Sequence, residues 1–182
     1  MKKLTFVALF AMFTLAASAQ DVKFPGLDAS PVDIAYYPSN SAQKNTAPDA
    51  KVVYARPSKK GRVVFGELEQ YGKVWRVGAN EATEVTFYKP VVVGGKEVKA
   101  GTYTLYAIPN KDKWTVILNS KTVTWGAYTY EEAKDVVRTE VPVKTLATPV
   151  EALSIVFAKS DTGANLVIGW DTVSVSLPIT IK

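Results

Sequence analysis

The chain has 182 residues and a formal net charge of +5, and it contains neither histidine nor cysteine. Without imidazole or thiolate ligands, zinc, copper and non-haem iron sites are disfavoured, and Ser-His-Asp and Cys-His catalysis cannot be built. The small basic excess is scattered, so it does not predict binding to nucleic acid. No acidic spacing typical of a calcium loop is present, and we expect no metal and no cofactor.

Residues 1–19 have the pattern of a secretory signal peptide. Lys2 and Lys3 give a positive start, an apolar run follows, and Ala17 and Ala19 form a small-x-small cleavage site. The run is short for a bilayer span, and nothing later approaches one. We therefore expect a periplasmic or secreted protein with no transmembrane segment after signal removal; the alternative is an uncleaved membrane anchor.

Residues 20–50 are rich in Pro, Ser, Asn and Ala, and four prolines interrupt any regular element. We expect this part to be an arm over the protein surface. One short apolar segment within it, residues 32–37, has the composition to pair at a sheet edge.

The remaining chain has the signals of short β-strands. Apolar and polar residues alternate in short runs with turn residues between them, and Gly94 and Gly95 predict a tight hairpin. The expected strands cover residues 51–56, 84–88, 90–93, 96–98, 102–108, 114–119, 122–125, 152–158, 165–170 and 173–181. This pattern predicts a single antiparallel β-sandwich, jelly-roll-like, over residues 51–182.

The segment after residue 128 is open to two interpretations. Thr129 and Glu132 have capping-box spacing, which predicts at most one short helix. The alternative is a strand over residues 136–143.

The long loop over residues 56–83 is the candidate site, because long ordered loops on rigid scaffolds often carry function. Its first part is basic, and Arg56, Lys60 and Arg62 have the chemistry of an anion or carboxylate site. The alternative is a turn whose arginines pair with acidic residues of the same loop. The acidic residues available for this are Glu67, Glu69 and Glu81.

A second candidate in this loop is the pair Trp75 and Arg76 beside Asn80 and Glu81. An aromatic face, a guanidinium, an amide and a carboxylate are the groups that bind a sugar or another polar small molecule. The alternative is that Trp75 fills the core while its neighbours satisfy backbone groups. Four other aromatic residues are expected in the core or on sheet faces: Trp114, Trp125, Trp170 and Tyr128. Trp125 is the exception among them, because it is also a candidate residue of the binding site.

Many fixed Gly, Trp and Arg positions of the chain form a specific pattern. They are Arg56-Pro57-Ser58, Lys60-Gly61-Arg62, Phe65-Gly66, Tyr71-Gly72, Trp75-Arg76, Gly78-Ala79-Asn80-Glu81-Ala82-Thr83, Ala100-Gly101-Thr102-Tyr103 and Trp125-Gly126. This pattern resembles a family of exported bacterial proteins, domain of unknown function 2911, over nearly the whole mature chain. The resemblance implies a single all-β domain, often with a signal peptide and frequent in Bacteroidetes, and it implies no activity.

Three functions follow from these features. We expect a non-catalytic binding module for a carbohydrate or cell-envelope component, with the loop as its site. The first alternative is a structural or protein-interaction module without a small-molecule site. The second is a carboxylate-dependent glycoside hydrolase that uses Glu81 with Glu84, Glu67 or Asp135. Ligand identity and oligomeric state do not follow from the sequence.

Overall fold

The computed structural model describes residues 22–182, so the expected signal peptide over residues 1–19 lies outside the described part. This part forms nine β-strands and one 3-10 turn. The strands are β1 Val32–Tyr37, β2 Ala50–Ala55, β3 Glu84–Phe87, β4 Val91–Val93, β5 Lys96–Val98, β6 Gly101–Ile108, β7 Lys113–Asn119, β8 Asp135–Ser160 and β9 Gly163–Ile181. No helix among residues 22–182 is long and apolar enough to cross a membrane.

All nine strands belong to one antiparallel sheet with the order β1-β2-β3-β6-β7-β8-β9-β4-β5. The first part of β8 pairs with β7, and its later part pairs with β9. Buried side chains from both parts of the sheet form one hydrophobic core, because the sheet folds over along β8. The predicted all-β antiparallel fold is confirmed, and its layers are parts of one continuous, open sheet.

The region between β7 and β8 differs from the prediction in two places. The 3-10 turn Glu132–Lys134 is the only helical element among residues 22–182, and Thr129 does not cap it. The alternative strand there is confirmed, because β8 begins at Asp135. The predicted strand over residues 122–125 is wrong: Trp125 forms a single bridge with Glu81, and no ladder of hydrogen bonds follows.

The arm contributes an edge strand. β1 pairs with β2 from Val32↔Ala55 to Tyr37↔Ala50, as the apolar segment 32–37 predicts. Its far end is fixed by the hydroxyl of Tyr37, which donates to the carbonyl of Gly163 at 2.6 Å.

A group of four aromatic side chains fills the core beneath the long loop: Phe65, Trp75, Trp114 and Trp170. Trp75 and Trp170 stack with ring centroids 6.0 Å apart, while Trp75 meets Trp114 edge-on at 5.7 Å. Phe65 packs against Trp114 at 4.8 Å. Two of these residues come from the loop and two from the sheet, so the aromatic cluster holds the loop against the sheet.

Candidate functional site

The first part of the loop is bound to the sheet by its own charged groups. Arg56 donates from Nε to the carbonyl of Leu153, from Nη1 to Asp33 and from Nη2 to Ser154, each at 3.0 Å. Its guanidinium therefore links β1, β2 and β8. These bonds use most of the hydrogen-bonding capacity of Arg56 inside the protein.

The following turn is also held to the protein by hydrogen bonds. Arg62 donates to the carbonyl oxygens of Lys59 at 2.8 Å and Ser58 at 2.7 Å. The backbone N–H of Lys60 donates to the carboxylate of Glu151 at 2.9 Å. Within residues 22–182, none of the arginines of this loop forms a salt bridge within 4.0 Å to Glu67, Glu69 or Glu81. The alternative prediction, that these arginines pair with acidic residues of the same loop, is therefore wrong. Its second part is confirmed, because the turn is bound to the sheet.

The next turn places a carboxyl group above the aromatic cluster. The N–H of Glu69 donates to the carbonyl of Val64 at 2.8 Å, and the N–H of Gly66 donates back to the carbonyl of Glu69 at 2.9 Å. Gly66 has a φ of +100°, which a residue with a side chain rarely adopts. The turn closes because glycine occupies this position, and Glu69 is fixed at its end.

Trp75 and Arg76 lie on an extended segment beside β6. The N–H and carbonyl of Trp75 exchange hydrogen bonds with Ala107 at 2.7 and 2.9 Å. This pairing turns the indole of Trp75 inward, where only 4% of the residue is exposed. The next residue, Arg76, is partly exposed, and its Nε donates to the carbonyl of Gly78 at 3.2 Å.

The opposite wall is the loop after β7. The N–H of Gly126 donates to the carbonyl of Asn80 at 3.0 Å, which ties this loop to the long loop. Gly126 has a φ of +66°, and a methyl group on it would lie 2.6 Å from the ring of Tyr128 and 3.1 Å from Nη1 of Arg76. The absence of a side chain at Gly126 therefore lets the Tyr128 ring and the Arg76 guanidinium approach each other.

These elements enclose a cavity of about 300 Å³, which we call the Tyr128 cavity; its lining residues are Glu69, Val74, Trp75, Arg76, Ala127 and Tyr128. Its volume is at the lower end of the range for small-molecule sites, roughly 300–1,000 Å³. Tyr128 is 83% exposed, so one aromatic ring stands at the entrance. The predicted core or sheet-face position of Tyr128 is wrong.

Several hydrogen-bond donors around this cavity have no acceptor within residues 22–182. Arg76 uses Nε on Gly78, and within residues 22–182 its two terminal nitrogens have no hydrogen-bond or salt-bridge partner. The indole N–H of Trp75 is buried and has no hydrogen-bond partner within the same range. Buried polar groups are normally paired, so an unpaired donor in the wall of a cavity is a feature that needs an explanation.

The carboxyl group of Glu69 has an altered acidity. Burial raises the pKa of Glu69 to about 7, while Arg76, Arg62 and the indole N–H of Trp75 each lower it. The indole N–H of Trp75 lies near enough to the Glu69 carboxyl to lower its pKa, although it forms no hydrogen bond with it. Glu69 therefore changes charge near neutral pH.

A second cavity, of about 290 Å³, lies on the other side of the same loop. It is mostly apolar, and we call it the Val123 cavity; its lining residues are Val32, Val53, Tyr54, Ala55, Glu81, Glu84, Val123 and Thr124. Glu84 accepts a hydrogen bond from the N–H of Val123 at 2.8 Å. Glu81 thus faces a different cavity from Trp75 and Arg76.

The structure divides the residues that the sequence suggests for the site. Trp75 and Arg76 line the Tyr128 cavity, and Asn80 supports it through its backbone carbonyl. Glu81 lines the Val123 cavity, and Trp125 is 59% exposed and lines neither cavity. The basic residues Arg56, Lys60 and Arg62 lie on the turn that is bound to β8.

Among the residues of the Tyr128 cavity that sequence reasoning missed, two have side chains suited to binding: Glu69 and Tyr128. Glu69 enters that reasoning only as a partner for arginines, and Tyr128 is assigned to the core or a sheet face. The signal that favours Glu69 is its place between Gly66 and the aromatic residues of the loop, and the signal that favours Tyr128 is its spacing of two residues from Gly126. Both signals are weak without the fold.

The cavity combines groups suited to binding a polar molecule. The ring of Tyr128 offers an apolar face, Arg76 offers paired donors, and Glu69 offers a carboxyl that accepts when ionised and donates when protonated. Glu69 supplies the only carboxyl group among the described lining residues. In residues 22–182, no group of three or more acidic side chains is arranged to hold a metal ion.

Comparison with known proteins gives one match. The model of the family described as "Protein of unknown function (DUF2911)" matches residues 38–179. This range contains the whole long loop and every residue of the Tyr128 cavity. No curated protein and no solved structure matches the chain.

Proposed function

Since the chain belongs to the DUF2911 family, whose description names no activity, we propose a function from the geometry of its cavity. The protein is a non-catalytic binding module for a carbohydrate or a cell-envelope component that carries sugar units. The Tyr128 cavity is its binding site. The observation that carries this proposal is the meeting of an exposed aromatic ring, a guanidinium with free donors and one carboxyl group around a cavity of about 300 Å³.

A sugar ring matches these groups in a simple way. Its apolar face stacks on the ring of Tyr128, and its hydroxyl groups accept from Arg76 and interact with Glu69. The cavity holds one small polar unit, so the rest of a longer chain lies outside it. The expected signal peptide supports a ligand outside the cytoplasm, and we place the binding event in the periplasm or outside the cell.

Hydrolysis is less well supported than binding. Glycoside hydrolases use two carboxyl groups that flank the bond to be broken. Glu69 is the only carboxyl in the described lining of the Tyr128 cavity, while Glu81 and Glu84 line the Val123 cavity, which is mostly apolar. We therefore propose that the site holds its ligand without cleaving it.

A module without a small-molecule site is the second candidate, and the internal bonds of Arg56 favour it. That side chain is used to join β1, β2 and β8. On this account, the loop only ties the sheet together, and Tyr128 is an exposed residue without a role.

An array of neutral and acidic oligosaccharides tests the two candidates. We expect the parent protein to bind a subset of the array, and Tyr128→Ala to lose that binding without a change in thermal stability. Tyr88→Ala is the matched control, because Tyr88 is also exposed but lines neither cavity. Binding that survives Tyr128→Ala unchanged, or a parent that binds nothing on the array, would contradict the proposal.

A further inference from the structure

We infer that the ligand of the Tyr128 cavity is an acidic saccharide whose carboxylate binds Arg76 beside the carboxyl of Glu69. This inference rests on the proposed function and adds the chemical class of the ligand. It follows from the balance of donors, acceptors and charges around the cavity.

Donors exceed acceptors in the cavity wall. Arg76 has both terminal nitrogens free of partners within residues 22–182, and they form a planar fork that matches a carboxylate. Glu69 is the one acidic acceptor in the described lining. A ligand that brings an acceptor with two oxygens satisfies more of these groups than one with hydroxyl groups alone.

The charges around the cavity also favour an acid. Arg76 and Arg62 are the charged groups that act on Glu69, and neither forms a salt bridge within 4.0 Å in the described part of the chain. Of these two, only Arg76 is among the described residues that line the cavity, so with Glu69 protonated the cavity carries one positive charge. Tyr128, on the opposite wall, is the remaining titratable group that faces the cavity. A single negative charge on the ligand therefore balances the site.

The carboxyl of Glu69 lets the site accept a second carboxylate. Two carboxyl groups in one small cavity repel each other when both are ionised, unless one of them holds a proton. Burial has already raised the pKa of Glu69 to about 7, so protonation of Glu69 requires little free energy near neutral pH. The protonated carboxyl then donates a hydrogen bond to the ligand instead of repelling it.

The sign of the pH dependence separates an acidic from a neutral ligand. An acidic ligand binds the protonated form of Glu69, so its affinity falls as the pH rises through 7. A neutral sugar uses the ionised carboxylate as an acceptor for its hydroxyl groups, so its affinity rises over the same range. The two classes of ligand thus predict opposite trends at one site.

The test is calorimetric titration of the protein with trigalacturonic acid and with its methyl ester, at pH 6 and at pH 8. The two probes share the same rings, but the ester lacks the negative charges. We expect trigalacturonic acid to bind at pH 6, with an affinity that falls about tenfold at pH 8. The ester binds at least about tenfold more weakly at pH 6. Glu69→Gln binds the acid equally well at both pH values, because glutamine keeps the shape but does not titrate.

Arg76→Gln gives a second variant that is independent of the titration of Glu69. It removes the fork and should abolish the preference for the acid over the ester. Circular dichroism spectra that match the spectrum of the parent show that both variants are folded. Glucose 6-phosphate serves as a third probe in the titrations.

The outcomes separate this inference from the proposed function. Equal binding of acid and ester, affinity that rises with pH, or binding of only neutral sugars would overturn the acidic ligand and leave the binding function. Binding of glucose 6-phosphate but not of trigalacturonic acid would overturn the assignment to a carboxylate. If no saccharide on the array or in the titrations binds, both the inference and the proposed function fail.

Discussion

The two ends of the loop 56–83 use their charged groups differently. At the first end, Arg56 and Arg62 donate to oxygens of the protein and hold the chain to β8. At the second end, Nε of Arg76 donates to the carbonyl of Gly78, while its terminal nitrogens have no partner in residues 22–182 and lie beside a cavity. The first end has more positive charge, but the unused donors of Arg76 at the second end line a cavity. A site is therefore indicated by unused groups facing a cavity, and not by the density of charge.

The second end is itself divided between an inner and an outer face. Trp75 points inward to the aromatic cluster, while Arg76, the next residue, lines the cavity. Extended backbone explains this division, because successive side chains point to opposite sides. The inner face supplies stability, and the outer face supplies the groups that we propose for binding.

Truncation of Trp75, the residue of the inner face, should have the largest effect on stability. Trp75→Ala deletes a buried ring that contacts three other aromatic side chains, and we expect the free energy of unfolding to fall by about 3–5 kcal/mol. Urea denaturation measures the change. Trp125→Ala is the matched control, since Trp125 is largely exposed and its loss should change the stability by less than about 0.5 kcal/mol. Similar costs for the two variants would contradict the division into two faces.

Glu69→Gln should have the next largest effect, and its size should depend on pH. The folded pKa of Glu69, about 7, lies above its ordinary value of 4.5. The folded state therefore binds the proton more tightly, and stability is lost as the pH rises from 4.5 through 7.

The variant lacks this titration. We expect it to be more stable than the parent at pH 8, by up to about 3 kcal/mol, and close to the parent at pH 4.5. Denaturation at the two pH values measures the difference. A parent that is destabilised by Glu69→Gln at pH 8 would mean that the ionised carboxylate is well paired in the folded protein.

A methyl group at Gly126 should affect stability and binding together. Gly126→Ala places a side chain on a residue with a φ of +66° and pushes it into Tyr128 and Arg76, so we expect a loss of about 1–3 kcal/mol and of saccharide binding. Gly61→Ala is the matched control at the other end of the loop. Gly61 has a similar φ of +75° but no atoms within 4 Å of the added methyl, so its variant should lose stability and keep binding. Loss of binding in both variants would remove the distinction between the two ends.

The smallest effects on stability are expected when one arginine from each end of the loop is replaced. Arg56→Gln removes three hydrogen bonds and should cost about 1–2 kcal/mol of stability with binding unchanged. Arg76→Gln removes one long hydrogen bond to Gly78, so it should cost less than about 1 kcal/mol and abolish the preferential binding of the acid over its methyl ester. Thermal denaturation and calorimetry on the same samples measure both quantities. The reverse pattern would place the site at the basic end.

The sheet could be predicted from the sequence to a large extent. Alternation of Val85 and Phe87 with polar neighbours marks β3, and Gly94 and Gly95 mark the turn between β4 and β5. These signals are local, since the period of side chains along a strand and the φ values of a hairpin depend on adjacent residues. The loop with no regular period was also recognisable as the place where chemically mixed groups gather.

The composition of the site could not be predicted in the same way. Glu69 and Tyr128 are separated by 59 positions along the chain. They meet because the long loop is bonded to β6 at Ala107 and the loop after β7 is bonded to Asn80 of the long loop. The exposure of Tyr128 depends on how the loop after β7 packs, and its sequence resembles a short strand. Whether an arginine is free or bound depends on distant carbonyl groups, such as Leu153 for Arg56.

The most direct test is a map of amide chemical shifts in the ¹⁵N-labelled protein during titration with trigalacturonic acid. We expect shifts at Arg76, Gly126 and Tyr128, with none at Lys60 and Arg62. Shifts confined to the basic turn, or no shifts with either the acid or its methyl ester, would contradict the Tyr128 cavity as the binding site.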